Sequence, residues 1–282
     1  MADTSPTVRR RRLAAELRRL RKESGLTAEA VARRVGLAQS WVSRVESARQ
    51  GIRHNDLRAL LDIYGVPEER RDELSALAQQ SRQRGWWHSF SDAVPEWFQI
   101  MIGLEAEARR LRSFDMELIP GLLQTPDYYR SYLRGHRAGF GEPEIDRMIE
   151  LRTARQERML HNHSLDLTFI VNEASLRRLA ATTSVCHAQL DRLVQLSDKS
   201  HISINILPFS AGMHSSMDSG FVLLGFTPPD PDVVYIESQL NGLYLEEPAQ
   251  VESYDSVYDS LHAKSLTKEQ TRNFLVKLAK EV

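Results

Sequence analysis

Between Arg9 and Gln80, apolar residues recur every three or four positions, the spacing that gathers them on one face of a helix. Leu13, Leu17 and Leu20 form the first stripe, preceded by four arginines, Arg9 to Arg12, and interleaved with Arg18, Arg19, Arg21 and Lys22. Gly25 ends that helix, and Thr27 is suited to cap a second one that opens with Glu29, Ala30 and Val31 and runs to about Val35. Gly36-Leu37-Ala38 makes a tight turn, and a third helix runs from about Gln39 to Ala48. Asn55-Asp56 starts a fourth, with Leu57, Leu60, Leu61 and Tyr64 on one face. Gly65-Val66-Pro67 breaks it, and a fifth covers about 68 to 84. The pattern predicts a compact all-helical module, with residues 1 to 8 disordered ahead of it.

After Gly85 the pattern changes. Trp86, Trp87, Phe90, Trp97 and Phe98 cluster, either as the join between domains or as the first core layer of a second one. Helical spacing predicts helices at about 96–113, 126–135, 143–161, 173–181, 185–199, 248–263 and 267–280. Leu165, Leu167 and Phe169 alternate, and Ile202, Ile204 and Ile206 alternate with Ser203 and Asn205, as in half-buried strands. Further strands are expected at 219–226, 232–237 and 243–246. The expected fold is therefore multidomain, with an all-α head at 1–84 and a mixed α+β domain at 85–282.

Composition narrows the class. The chain has 282 residues, 27% charged and 41% hydrophobic, an ordinary globular mixture. No apolar run approaches the roughly 18 to 20 residues of a bilayer span. A polar, then basic, beginning with no apolar signal segment argues against secretion, so a cytoplasmic protein is expected. The single cysteine, Cys186, excludes an internal disulfide framework and any multi-cysteine metal site. Charge is uneven: residues 1–84 hold 18 Lys+Arg against 11 Asp+Glu, a net of +7, while residues 85–282 hold 19 against 27, a net of −8. A basic head on an acidic body points to a polyanion partner for the head; a merely solvated surface pattern is the alternative.

The segment from Gly25 to Gly51 has the spacing of a helix-turn-helix. Val31 and Val35 would face inward from one helix and Val42 and Val45 from the next, with Leu37 plugging the turn and Gly36 permitting the reversal. At about 100° per residue, Ser40, Ser43, Arg44 and Ser47 then face outward. Gln39 lies at the end from which such helices approach base edges. Gln pairs with adenine and Arg with guanine, which makes Gln39 and Arg44 the candidate base readers. Thr27, Arg49 and Arg53 flank them and suit phosphates. Trp41 lies on the helix flank, either in core packing or against thymine methyls and sugars. Arg9 to Arg12 are either a solvated helix start or a groove-entering arm.

Gly25-Leu26-Thr27, Val31-Ala32, Gly36-Leu37, Gln39-Ser40, Val42-Ser43-Arg44-Val45-Glu46 and Arg49 together resemble the lambda-repressor-like, Xre-type helix-turn-helix family over about 60 residues. The chain departs from that family's usual pattern at Ala28, where Gln is common, at Ala38, where a capping Ser is common, at Trp41, and at Ala48, where Gly is common. The resemblance implies a DNA-binding regulator that pairs half-sites as a homodimer on a palindromic operator.

The second domain has no Gly-rich phosphate loop and no convincing metal spacing. His161 and His163, two apart, would face different ways on a helix and are expected in solvent. Ser210 to Ser216 surround His214, but no strand-turn-helix elbow precedes them. Glu105, Gln124, Arg152, Arg155, Glu173 and Glu237 are the candidate ligand or partner contacts. Arg152 and Arg155, three apart on one helix face, suit a carboxylate or a partner's acid; a satisfied internal ion-pair network is the competing assignment.

A string of motifs running from GWWHSF through WFQIMIGLEAEARRLRSFDMELIPGLLQTPDYYR, LRTARQERML, INILPFSAGMH and GFVLLGF to VVYIESQLNGLYLEEPAQVESY resembles a large actinomycete regulator family. That family joins an Xre-type head to a C-terminal domain long labelled as of unknown function, and includes WhiJ-type and antitoxin-like regulators. The resemblance implies a non-enzymatic transcriptional regulator, nucleoid-associated when bound to DNA. It also implies a small partner protein from a neighbouring gene, with an antitoxin-like protein that autoregulates its operon as the alternative. No cofactor, metal or membrane is expected.

Overall fold

The computed structural model describes residues 6–82, 85–136, 140–179, 182–228 and 230–281. These divide between His88 and Ser89 into two compact units. Of residues 1–8, expected to be disordered, 1–5 lie outside the described residues, whereas 6–8 are not disordered but open the first helix, where Val8 is buried.

The first unit is helical: α1 (Pro6–Glu23), α2 (Ala28–Val35), α3 (Gln39–Glu46), α4 (His54–Ile63) and α5 (Glu68–Gln80). Their apolar stripes converge. Leu13 and Leu17 of α1, Val31 and Ala32 of α2, Val42 and Val45 of α3, Leu57, Leu60 and Leu61 of α4, and Leu74 and Ala78 of α5 form one buried cluster. Such a shared core is what holds helices this short, which have little stability alone. Arg9 to Arg12 lie within α1 and do not form an extended arm.

The turn between α2 and α3 depends on Gly36, whose φ of +68° is the left-handed conformation that favours glycine. Leu37 was expected to plug that turn. It is 37% exposed instead, and the reversal is held by the backbone, with Leu37 N–H donating to the Ala32 carbonyl at 3.0 Å.

The second unit contains α6 (Glu96–Glu105), β1 (Arg110–Asp115), α7 (Pro126–His136), α8 (Glu142–Leu160), β2 (Asp166–Asn172), α9 (Glu173–Arg177), α10 (Thr183–Ser197), β3 (Ile202–Leu207), β4 (Phe221–Gly225), β5 (Val233–Glu237), β6 (Gly242–Leu245), α11 (Pro248–Lys264) and α12 (Lys268–Ala279). It is a mixed α+β domain on one six-stranded sheet, ordered β3-β2-β1-β4-β5-β6. β1, β2 and β3 run parallel, and β4, β5 and β6 continue from β1 as an antiparallel meander.

One expectation fails here. The helix predicted at about 96–113 ends at Glu105, and Arg110–Asp115 is the strand joining the two halves of the sheet. Leu104, Ala108 and Leu111 happen to keep helical spacing, which hides the alternation of Leu111 and Ser113 with Arg112 and Phe114.

The two sheet faces differ. Phe114, Ile170, Leu207, Phe221, Leu223 and Val234 pack with Val251, Tyr258 and Leu261 of α11. Arg112 on the same face pairs with Asp255 and lies 5.0 Å from the centre of the Tyr258 ring. The outer edge of β3 is covered: Leu266 N–H donates to the Ile206 carbonyl at 2.8 Å, and Thr271 Oγ1 accepts the Ile206 N–H at 3.2 Å. The opposite face of β1, carrying Leu111, Ser113 and Asp115, looks into a cavity.

Candidate nucleic-acid interface and interior cavity

In the first unit, burial of Val42 (1% exposed) and Val45 (3%) fixes the rotation of α3. Gln39, Ser40, Ser43, Arg44 and Ser47 are all exposed, and so are Thr27, Arg49 and Arg53. Trp41 is half-buried and packs against the helical core. Thr27 Oγ1 accepts the Ala30 N–H at 3.1 Å as the cap of α2, and its hydroxyl hydrogen remains free to donate outward. Arg44 Nε donates to Gln50 Oε1 at 2.9 Å, so the candidate base reader is held along the surface by a second side chain.

Two features of α3 were not anticipated. Arg21 of α1 grips Glu46 with two hydrogen bonds, 2.7 and 2.9 Å, and donates a third to the Leu26 carbonyl at 2.8 Å. This ties the last turn of α3 to α1 and to the loop before α2. The second feature is backbone strain: Ala48 has φ +57°, and this ends α3 before the expected Ala48. At the other end, Ala38 occupies the cap position with no side-chain hydrogen bond.

In the second unit, a cavity of about 900 Å³ lies beside the C-terminal ends of β1 and β5. These ends flank the place where the sheet changes from parallel to antiparallel pairing. The strand order also reverses there, with β2 and β3 on one side of β1 and β4 to β6 on the other, and crevices at the carboxyl ends of strands at such a reversal are where open α/β sheets commonly hold ligands. Glu105, Gln124, Arg152, Arg155 and Glu237 all line it. Glu173 does not. Its carboxylate accepts from Arg177 Nε and from the Phe209 N–H, both at 2.8 Å, and clips α9 to the loop after β3.

The two arginines of α8 have different partners. Arg155 makes a two-pronged pair with Glu105 at 2.5 and 2.6 Å, both residues buried. Its charge is therefore neutralised inside the domain. Arg152 donates to Gln124 Oε1, and its guanidinium lies 3.5 Å from the centre of the Tyr129 ring. Among the described residues no carboxylate forms an ion pair with it. Burial pushes the Arg152 guanidinium below its usual value. Gly121 makes room for it, since a Cβ there would stand 2.9 Å from Arg152 Nη1.

The loop that frames the cavity is pinned by amides. Gln124 Nε2 donates to the Ile119 carbonyl at 2.6 Å. Gln156 Nε2 donates to the carbonyls of Gly121 (2.9 Å) and Gln124 (2.8 Å), and Gln189 Nε2 to that of Leu123 (2.9 Å). Asp115, at the end of β1, accepts from Ser113 Oγ at 3.1 Å, and burial pushes its carboxyl up to about 7. Tyr235 donates to Glu237 at 3.1 Å. Asp115, Tyr129 and Tyr235 were absent from the expected set; Asp115 was hidden by the mistaken helix.

Residues 12–74 match the model of a helix-turn-helix domain. Residues 98–277, well over half of the chain, match the model of a domain of unknown function, DUF5753. The chain belongs to the DUF5753 family. No curated protein and no solved structure matches it. The DUF5753 region holds the whole sheet and all the residues around the cavity, and the helix-turn-helix match spans α2 and α3. Among the described residues there is no metal-binding cluster of His, Cys, Asp and Glu, and no helix long and apolar enough to cross a membrane.

Proposed function

We propose that this DUF5753 protein is a sequence-specific DNA-binding transcriptional regulator that acts as a homodimer on a palindromic operator, with its second domain mediating dimerisation and the response to a partner protein or ligand. One observation carries the first part. α3 buries Val42 and Val45, half-buries Trp41, and has polar residues at all its fully exposed positions, Gln39, Ser40, Ser43 and Arg44, followed by exposed Ser47 at its C-cap. A helix meant for a protein partner would offer an apolar stripe; this one offers hydrogen-bonding groups suited to base edges. Gln39 and Arg44 read bases, and Thr27, Arg49 and Arg53 hold phosphates. Trp41 serves core packing first.

Selection of bound fragments from a random DNA pool by the full chain tests this. An inverted repeat with half-sites about one helical turn (34–36 Å) apart is expected. Failure to enrich any sequence removes the regulator; a single non-repeated half-site removes the dimer.

The antitoxin-like alternative is supported by a separate observation. The loop after β3 leaves Phe209 59%, Met213 82% and Met217 49% exposed, an apolar group on an acidic domain. Met-rich exposed surfaces suit adaptable partner binding. Co-purification with the product of a neighbouring small reading frame tests it, and absence of a complex removes it.

A further inference from the structure

We infer that the cavity on the β1 face of the DUF5753 domain is a binding site for a small aromatic monocarboxylic acid, its carboxylate received by Arg152 and its ring body held among Phe98, Tyr129 and Phe169. This deepens the ligand-response half of the proposed function and rests on it only for the consequence, not for the binding.

The contrast between the two arginines of α8 is the first argument. They project from neighbouring positions into one cavity, and only Arg155 has a carboxylate partner. Arg152 is fixed just as firmly, by the Gln124 amide and the Tyr129 ring, with Gly121 open beneath it. Glu237 acts on the Arg152 charge through space but forms no ion pair with it, so the guanidinium is desolvated, held in place and, among the described residues, without a carboxylate in contact, and its planar fork matches the two oxygens of one.

The size and walls of the cavity define the rest of the ligand. About 900 Å³ accommodates a body far larger than a bare ion. Phe98, Met101, Leu111, Tyr129 and Phe169 supply apolar and aromatic surface around it. The charge of the head group is set by the acids nearby. Asp115 and Glu237 line the same cavity as Arg152, so each added negative charge on the head is repelled by them, and a single carboxylate is favoured over a dianionic phosphate. Asp115 is held largely protonated below neutrality and is then available to donate a hydrogen bond to the head.

The test uses the full-length protein without DNA. Anilinonaphthalene sulfonate, a fluorescent aromatic monoanion, should bind saturably, and naphthoate should displace it while the uncharged naphthalene methanol should not. Arg152→Met should weaken both anions at least about tenfold, the loss expected for one charge-assisted pair. Gly121→Ala keeps the charge but crowds Nη1, and should weaken them in the same direction. Circular dichroism on each variant identifies any that fails to fold, and Gly121→Ala carries the test if Arg152→Met does. No saturable binding, equal displacement by the alcohol, or unchanged affinity in a folded variant overturns the site. DNA binding by the same samples is read separately, so loss of the ligand site leaves the regulator assignment standing, and the reverse.

Discussion

Arg21 and Glu46 lie 25 positions apart in the chain and meet through two hydrogen bonds of 2.7 and 2.9 Å, fastening the last turn of α3 to α1. Their side chains are only 14% and 8% exposed, so the pair is shielded from solvent. Removing one member leaves the other without its partner in a place where water reaches it poorly. Glu46→Ala should therefore destabilise the head by about 1–3 kcal/mol, between the values for exposed and fully buried pairs. The same change frees the end of α3, so DNA affinity should fall although Glu46 touches no DNA in the proposed arrangement. Urea melts and DNA titrations of Glu46→Ala check both. Unchanged stability would mean that the pair is a surface ornament.

The ends of α3 lack two common helix devices, and each absence predicts a stabilising substitution. Ala48 holds φ at +57°, which costs an L-residue with a Cβ roughly 1 kcal/mol and costs glycine almost nothing. Ala48→Gly should raise stability by about 0.5–1 kcal/mol. Ala38 occupies the N-cap without a side-chain acceptor, and Ala38→Ser should add about 1 kcal/mol. Thermal melts of the two variants and of the double variant check this. The sites lie at opposite ends of the helix, so the gains should add.

Arg44 and Arg53 should fail in different ways. Arg44 projects from α3, and its bond to Gln50 is one that guanine can replace. Arg44→Ala should cost about 1–3 kcal/mol for the selected operator and little for random DNA. Arg53, exposed just before α4, should act on phosphates. Arg53→Ala should weaken operator and random DNA alike and reduce the salt dependence by about one counterion. Titrations on both DNAs at several salt concentrations separate the two. Equal loss on both DNAs in Arg44→Ala would move base reading elsewhere.

What the sequence reveals of this chain follows from the range of the interactions involved. The helical head is legible because its stripes, its Thr27 cap and its Gly36 turn are all local signals. The Arg21–Glu46 pair is not, because nothing local marks two charged residues on separate helices as partners. Alternation exposes β2 and β3, whereas β1 is masked because Leu104, Ala108 and Leu111 also satisfy helical spacing. That error conceals Asp115, and with it the floor of the cavity. Glu105, Gln124, Arg152, Arg155 and Glu237, five of the six expected polar contacts, do converge there, among the aromatic side chains Phe98, Tyr129 and Tyr235. Glu173 has the same chemistry, but the fold uses it as a clip. Of the two arginines of α8, Arg155 lies in an internal ion pair with Glu105, while Arg152 has the Gln124 amide and the Tyr129 ring as its contacts.

Asp115 gives the DUF5753 domain a pH dependence with a definite sign. In the unfolded chain this carboxyl titrates near its usual value of about 4. In the fold, burial raises it to about 7. The folded state thus binds the proton more tightly, and this contribution is full below pH ~4 and lost as the pH rises through 7. The cost of ionising Asp115 in place is about 1.4 kcal/mol per unit of difference, reduced by whatever solvent reaches the carboxyl. His214 acts in the opposite sense. Burial, followed by the charge of Lys264, depresses its imidazolium, so its contribution is present above pH ~6.5 and lost on acidification. A whole-protein profile therefore mixes the two. Comparison with Asp115→Asn isolates the carboxyl: the variant should match or trail the parent at pH 4.5, gain on it steadily between pH 5 and 8, and exceed it at pH 8. Denaturant unfolding of both proteins across this range checks the crossing. Parallel profiles would show that Asp115 is as well solvated in the fold as in the unfolded chain.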